Sequence, residues 1–331
     1  MGSEMCIRDS APTIAAPWSA LILTSIALAL GTGACIQDAE YDDGGGGAGV
    51  GGSGTGAGPT PDPIAFDVMT WNVRNLFNDQ NDSSAPQEEI DSDWPARRAE
   101  VGNVLFALDT DVVVLQEVEH TEVLEELDTL ELMDRYPHIS VSEGNDPRGI
   151  DVGVMSKYPF DQVVSHAGEV FTQNGSTSPN YKFARDAYEV HMTVNQRHVV
   201  LIGVHFKAKD NDDPDKRLAE AQRTRNIANA VAMDDPDAAI IVLGDFNDLP
   251  QSPPYEAVAL PDPSYRNAAL LAPVADQYTY TFNGTQELVD HVMMNPVADA
   301  RVDAGTVRIV HGPEAQDASD HSPVIVGFMM N

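Results

Sequence analysis

From Ile64 onward the chain alternates short apolar runs with clusters of Gly, Pro, Asn and Asp. "IAFDVMTWNV" (Ile64 to Val73) partly alternates between apolar and polar residues and reads as a strand ending at Asn72. "DVVVLQEVE" (Asp111 to Glu119) is nearly continuous and reads as a buried strand reaching Gln116 and Glu117. Ile150 to Pro159, Ala184 to Val194, Arg197 to Lys207, Ala238 to Asn247, Glu287 to Asn295 and Ser322 to Met330 carry the same β-branched, apolar signature between turn formers. Two stretches read as helices: Trp94 to Leu108, and Asp215 to Met233, which is rich in helix formers. Many strands with few helices between them predict an α/β fold of two sheets packed face to face, with helices outside.

The polar residues at the ends of these runs are the second signal. Asn72, Glu117, His205, Asp245, Asn247, Asp290, Asp320 and His321 each lie at or near such an end. Singly, each has an ordinary explanation. A strand-end Asp is usually a cap, and the turn formers of "LGDFNDLP" need no further role. Together, eight residues of metal-ligand or acid–base type exceed what turn chemistry accounts for. Strand ends facing one side of a sheet would set them on a rigid platform.

Composition narrows the partners. The 331 residues include 52 acidic and 19 basic side chains, a formal charge of −33. Such a surface repels polyanions and argues against passive, sequence-blind nucleic-acid binding. A metal ion and a few local Arg or Lys residues can still reverse the field inside a cleft. The two cysteines, Cys6 and Cys35, precede the globular region, which therefore has neither a disulfide framework nor a thiolate metal site.

Residues 1–35 read as an export leader: Arg8 precedes the apolar stretch Trp18 to Leu30, and small residues follow. The apolar stretch is shorter than the roughly 20 residues a membrane-spanning helix needs. Gly33 and Ala34 before Cys35 resemble a bacterial lipobox, with Thr32 where Leu is usual, and make Cys35 the expected lipidation site. Residues 36–63 form a Gly-rich, acidic linker expected to be a flexible tether, and one domain is expected over 64–331. The expected location is the cell envelope, outer membrane or periplasm, or else secretion.

The motifs "WNVRNLF", "LQEVE", "VHFKAK", "GDFND", "LVDHV" and "SDHSPV" occur in that order. With them the chain resembles the endonuclease/exonuclease/phosphatase family, to which deoxyribonuclease I belongs. The resemblance implies a four-layer α/β/β/α sandwich, two packed mixed β-sheets flanked by helices. It also implies metal-dependent cleavage of phosphoester bonds, with Mg²⁺ as the usual ion and Mn²⁺ or Ca²⁺ as substitutes. By motif, Glu117 resembles the metal-binding Glu, with Asn72 beside it and Asp320 completing the site. Asp245 resembles the base that activates water, and Asn247 the group that orients it. His321 resembles the His that meets the scissile phosphate, with Asp290 behind its ring. His205 resembles a second phosphate-facing His, and Asp151 a carboxylate for it. Arg185 matches a phosphate-contacting Arg, and Lys207 and Asn72 are further expected substrate contacts.

The chemistry calls for these residue types independently. Water attacks an anion only when the anion's charge is offset, which a hard cation held by one or two carboxylates achieves. A carboxylate must take the water's proton. An imidazolium stabilises charge in the transition state, and an Asp behind it raises the His pKa and fixes the ring. The leading expectation is a metal-dependent phosphodiesterase, most simply an exported, monomeric nuclease acting on DNA or RNA, with no protein partner. The alternatives are a phosphoesterase for a phospholipid head group or phosphorylated sugar, and a non-catalytic surface binding module. The Asp-rich stretch 78–93 reads as solvated charge, with a Ca²⁺ site as the alternative.

Overall fold

The computed structural model describes residues 62–81, 85–209 and 211–331. The leader, Cys35 and nearly all of the linker lie outside the described residues. Among the described residues the first half runs β1 (Ile64–Leu76), α1 (Trp94–Leu108), β2 (Val112–Val118), α2 (Thr121–Leu127), β3 (His138–Ser142), β4 (Asp151–Ser156), β5 (Phe160–Val164), β6 (Ala187–Val194) and β7 (Arg197–His205). The second half runs α3 (Pro214–Asp234), β8 (Ala239–Asp245), α4 (Pro253–Ala259), β9 (Arg266–Asn267), β10 (Tyr280–Phe282), β11 (Thr285–Glu287), β12 (Asp290–Met294), α5 (Pro296–Asp299), β13 (Val302–Ile309), α6 (Pro313–Ala318) and β14 (Val324–Met330).

Two mixed six-stranded sheets result, in the orders β13-β14-β1-β2-β4-β3 and β5-β6-β7-β8-β12-β9. The pairs β1–β2 and β7–β8 are parallel and the others antiparallel. The near-continuous apolar runs follow from this layering. Val112 and Val114 point between the sheets, where they join Val190, Leu201, Ile241 and Val326. Val113 and Leu115, one residue out of phase, pack outward against Val104, Leu105 and Leu124 of α1 and α2. In the second sheet Leu201 faces inward, while Val200 and Ile202 face Ile227 and Ala228 of α3. A strand covered on both faces has no polar face to alternate with. Each fully buried Val, Leu or Ile contributes roughly 1.5–3 kcal/mol.

Where the structure departs from the pattern, edges and bulges explain it. The strands β3, β5 and β13 are only partly buried along their length. They lie at or next to sheet edges, and an edge lacks the apolar continuity that marks a central strand. The strand β1 does not stop at Asn72 but continues to Leu76 through a register shift against β2. Arg74 and Asn75 adopt left-handed conformations there, at φ 55 and 50, as the extra residues of a bulge do. Helix α1 spans the predicted residues, and α3 extends the prediction by one residue at each end. No helix among the described residues is long and apolar enough to cross a membrane.

Gly203 on β7 faces Val114 and Val152 of the first sheet across the core. A Cβ there would lie 2.8 Å from Val114 Cγ1 and 2.9 Å from Val152 Cγ1. Gly203→Ala is therefore expected to overpack the inter-sheet core and cost about 1–3 kcal/mol, read as a lower denaturation midpoint with an unchanged slope.

Candidate active site

Two facing irregularities turn the first polar pair inward. Opposite the bulge of β1, the register of β2 shifts against β4 between Gln116 and Val118, and Glu117 sits at φ 65. Both strands thereby aim a side chain past the sheet end. The Asn72 Nδ2 donates to Glu117 Oε1 at 3.3 Å and to Asp245 Oδ2 at 3.1 Å, joining one sheet to the other. Its Oδ1 accepts from the Arg74 backbone N–H at 2.9 Å, so this amide presents nitrogen, not oxygen, to the two carboxylates. To serve as the expected metal ligand, Asn72 would have to turn its oxygen away from the Arg74 N–H. Glu117 Oε2 accepts from Asn75 N–H at 2.9 Å.

The second sheet supplies three neighbours by strand register. His205 on β7 pairs with Asp245 on β8, and Asp245 pairs with Asp290 on β12. Gly244 permits the turn: at φ 140, a Cβ would lie 2.0 Å from Val204 O. Past it, Asp245 Oδ1 accepts from Asn247 N–H at 2.7 Å. The Asn247 side-chain nitrogen is committed to Phe206 O at 3.0 Å, so Asn247 orders Asp245 through its backbone.

His321 arrives on the loop before β14. Trp71 Nε1 donates to the His321 carbonyl at 2.9 Å, and Ser319 Oγ donates to Asn72 O at 2.7 Å, stitching the loop to β1. The His321 ring places Nδ1 2.8 Å from Asp290 Oδ2 and Nε2 4.0 Å from Asp245 Oδ2, and His205 Nε2 lies 3.6 Å from the same Asp245 oxygen. Burial alone would lower the His321 pKa, but the charge of Asp290, its hydrogen bond and Asp245 outweigh it, raising the pKa to about 10. Asp245 is pushed up by burial first and by Asp290 second, against the pull of His321. His205 is driven well below the ordinary His range by burial, and then by Arg185, His321 and Arg148. One imidazole is thus a cation and the other neutral.

Asp151 does not reach His205. It accepts from Gly144 N–H at 2.7 Å, and His205 Nδ1 is buried without a hydrogen-bond partner. Burial raises Asp151 to about 7. The predicted His–carboxylate pair is therefore absent, because β4 carries Asp151 to the loop before it, not across to β7.

These groups open into a cleft of about 970 Å³, lined by Asn72, Glu117, Arg185, His205, Lys207, Asp245, Asn247, Asp320 and His321 among others. Asp290 lies behind this wall and Asp151 outside it. Six basic residues line the cleft, Arg74, Arg148, Arg185, Lys207, Lys209 and Lys216, against the acidic Glu117, Asp146, Asp245, Glu287 and Asp320. The lining is thus close to balanced, on a chain whose formal charge is −33. Buried Arg185 pairs with Asp146 at 2.9 Å, and its Nε has no hydrogen-bond partner.

Helix α3 fastens the loops that carry these side chains. Glu220, fully buried, accepts from Ala184 N–H at 2.7 Å and from Lys207 N–H at 2.6 Å. Arg217 donates to Asp248 Oδ2 at 3.0 Å and to Lys207 O at 2.9 Å. From β12, His291 Nε2 bonds Asp248 O at 2.9 Å, and burial lowers its pKa to about 4, keeping it a neutral strut. Sequence reading missed Arg217, Glu220, Arg148 and the rim residues Tyr280 and Phe282. The available signal was a charged pair three apart in α3, the spacing of one helical face.

Among the described residues, the group of three acidic or His donors close enough to share a metal ion is Asp245, Asp290 and His321. Within it, His321 Nδ1 is bonded directly to Asp290 Oδ2 at 2.8 Å, the spacing of a hydrogen-bonded pair. Glu117 and Asp320 line the cleft with carboxylate oxygens, the hard donors that suit Mg²⁺.

The profile of the Endonuclease/Exonuclease/phosphatase family matches residues 69–321. Comparison with curated proteins gives no match. Among solved structures, TDP2 from C. elegans superposes with a TM-score of 0.57 at 18% identity, covering 81% of this chain and 76% of that one. The human Nocturnin catalytic domain with bound sulfate anion gives 0.59 at 16% identity, covering 80% and 95%. D. rerio TDP2 complexed with single strand DNA product gives 0.55 at 17% identity, covering 80% and 98%. At these identities the likeness is one of fold.

Asp290→Asn tests the buried pair. Without the charge behind its ring, His321 keeps the desolvation that lowers its pKa and only the weaker pull of Asp245 and Asp320 against it, so the pKa should fall well below about 10, as read by NMR titration of the imidazole. The sign of the linkage follows. A raised folded-state pKa stabilises the protein fully below the free His value near 6.5, and this contribution is lost as pH rises through about 10. The variant should flatten that alkaline loss.

Proposed function

Because this chain belongs to the endonuclease/exonuclease/phosphatase family, we propose that it is a divalent-metal-dependent phosphodiester hydrolase whose substrate is nucleic acid. The observation that carries the reading is the buried cationic His321 beside Asp245, at the floor of a cleft lined by basic residues on an acidic protein. With basic residues offsetting the acidic ones in its lining, the cleft would repel a polyanion less than the acidic chain as a whole does, which favours productive encounter there.

Glu117 would hold the ion, with Asp320 from the facing loop, and the ion's chemistry is to offset phosphate charge. The side chains do the rest. Arg185 and Lys207 bind phosphate oxygens. Asp245 Oδ2, fixed by Asn72 and by the Asn247 N–H, takes the proton of the attacking water as its oxygen bonds to phosphorus and the ester P–O bond opposite breaks. His321, held by Asp290, presents its Nε2–H to the charge that builds on the phosphoryl oxygens. Neutral His205 faces the same carboxylate and donates or accepts without adding charge.

Export and lipidation at Cys35 belong to the same proposal and rest on the sequence of residues 1–63. One acyl chain binds membranes only marginally, so stable anchoring would need several.

Plasmid DNA, RNA, sphingomyelin and inositol phosphates, each offered with and without Mg²⁺, separate the substrate classes. Cleavage of the lipid or the inositol phosphate alone would replace the nucleic-acid reading with a phosphoesterase of the same fold. Three outcomes are expected. Glu117→Gln and excess chelator should each remove most turnover, with melting nearly unchanged, and full activity in chelator would refute the metal dependence. Asp245→Asn, which keeps size and turn preference, should lower kcat and kcat/KM together by about 10²–10⁴; activity within threefold of wild type would place the base elsewhere. Cys35→Ser should release the protein from the membrane fraction, and native protein found free in the medium with a different N-terminus would overturn the anchor.

A further inference from the structure

A second cavity, of about 290 Å³, lies between α3 and the outer face of the second sheet and shares no residue with the cleft. Val190, Met192, Val199 and Leu201 point into the inter-sheet core, so Glu189, His191 and His198 point outward, toward α3. His191 pairs with Val200 and His198 with Thr193 across β6 and β7, which makes the two imidazoles diagonal neighbours on that face. Their free nitrogens converge: His191 Nδ1 lies 2.9 Å from His198 Nε2. Each opposite nitrogen is backed by a carboxylate, His191 Nε2 by Glu189 at 2.5 Å and His198 Nδ1 by Asp235 at 2.7 Å.

Proton counting defines what this pair can do. A carboxylate only accepts, so the nitrogens facing Glu189 and Asp235 both carry N–H. The remaining two nitrogens then share one proton. His166 sits on the other oxygen of Glu189 at 3.1 Å and on Glu169 at 2.9 Å. Burial would lower the His166 pKa, but those two hydrogen bonds outweigh it and raise it. Asp234 and Arg223 of α3, and Asp235 just past its end, complete the charged lining, with Arg223 paired to Glu169 at 2.6 Å. Carboxylate-backed imidazoles with converging free nitrogens are the arrangement that orients His for metal binding.

We propose that His191 and His198 form an exchangeable Zn²⁺ site, with Glu189 and Asp235 as the carboxylates that fix the rings. Zn²⁺ takes the lone pairs of His191 Nδ1 and His198 Nε2, the proton between them leaves to solvent, and water fills the other positions. With Zn–N near 2.0–2.1 Å, tetrahedral donors stand about 3.3 Å apart, so the two nitrogens separate by a few tenths of an ångström and each ring turns from its present head-on, near-coplanar approach to meet the ion off the N···N line. His198 is 31% exposed, which gives an ion a path in. Imidazole nitrogen selects Zn²⁺ over Mg²⁺, so the site is distinct in chemistry from the cleft.

Calorimetric titration of the purified protein with zinc chloride, in saturating Mg²⁺, tests this. The wild type should bind one Zn²⁺ with a buffer-dependent heat from the released proton, and its Tm should rise on adding zinc. His198→Asn should lose both responses, measured against its own zinc-free Tm, while its hydrolysis of phosphodiester stays unchanged. Asp235→Asn, a half-exposed change that leaves the metal donors in place, should bind about 10–100-fold more weakly. Equal stoichiometry and affinity in His198→Asn and wild type would assign the zinc to the cleft and overturn the proposal. A wild type that binds no zinc would leave the histidine chain a hydrogen-bonded tie between α3 and the sheet.

Discussion

A buried imidazolium held between two carboxylates organises this molecule. Asp290 and Asp245 are taken out of water at the ends of packed strands, and His321 beside them keeps only 10% of its side chain exposed, toward the cleft. An isolated charge there would be costly, whereas breaking a buried pair typically costs about 3–5 kcal/mol. The three groups therefore constrain one another's protonation. Asp290 keeps His321 charged, and burial with Asp290 raises Asp245 while His321 pulls it back. Such opposed shifts in one cluster are what allow a base and a cation to coexist near neutral pH.

That arrangement is only possible because two rigid sheets end at the same place. Strand register sets His205, Asp245 and Asp290 on adjacent strands. The first sheet reaches them through bulges, which re-aim Asn72 and Glu117 past the end of the ladder. Left-handed backbone at Arg74, Asn75, Glu117 and Asn247 accompanies this, and residues in such conformations gather at functional sites because the surrounding fold holds them there. The Asn72 amide then spans the two sheets, so the cleft floor is itself an inter-sheet contact.

Helix α3 serves two surfaces with different residues. Arg217 and Glu220, near its start, grip the loops bearing Lys207, Asp248 and the residue before Arg185. Arg223, in its middle, and Asp235, just past its end, close the histidine chain on the outer sheet face. Between them Ile227, Ala228 and Val231 pack on the sheet. Charged residues are rarely buried without partners, and each buried charge on this helix is matched to a loop N–H, a carbonyl or an opposite charge.

Much of the fold could be read in the sequence because burial leaves a local trace. A strand covered on both faces must be apolar throughout, as 112–115 and 239–243 are. Ordered motifs likewise marked Glu117, Asp245, Asp290 and His321, and all but Asp290 reach the cleft surface. Edge strands such as β3 and β5 escaped, since half-exposed segments carry no continuous pattern. What the tertiary structure alone decided was orientation and partnership. Asn72 meets Asp245 across 173 residues with its nitrogen because Arg74 N–H claims its oxygen. Asp151, though next to the right motif, turns to Gly144 and leaves His205 without it. Glu220 and the His191–His198 pair gained their partners from how α3 settles on the sheet. Local sequence determines which residues are buried and which end a strand. Which of them touch depends on register, bulges and the docking of distant segments, and those are set by the packing of the whole chain.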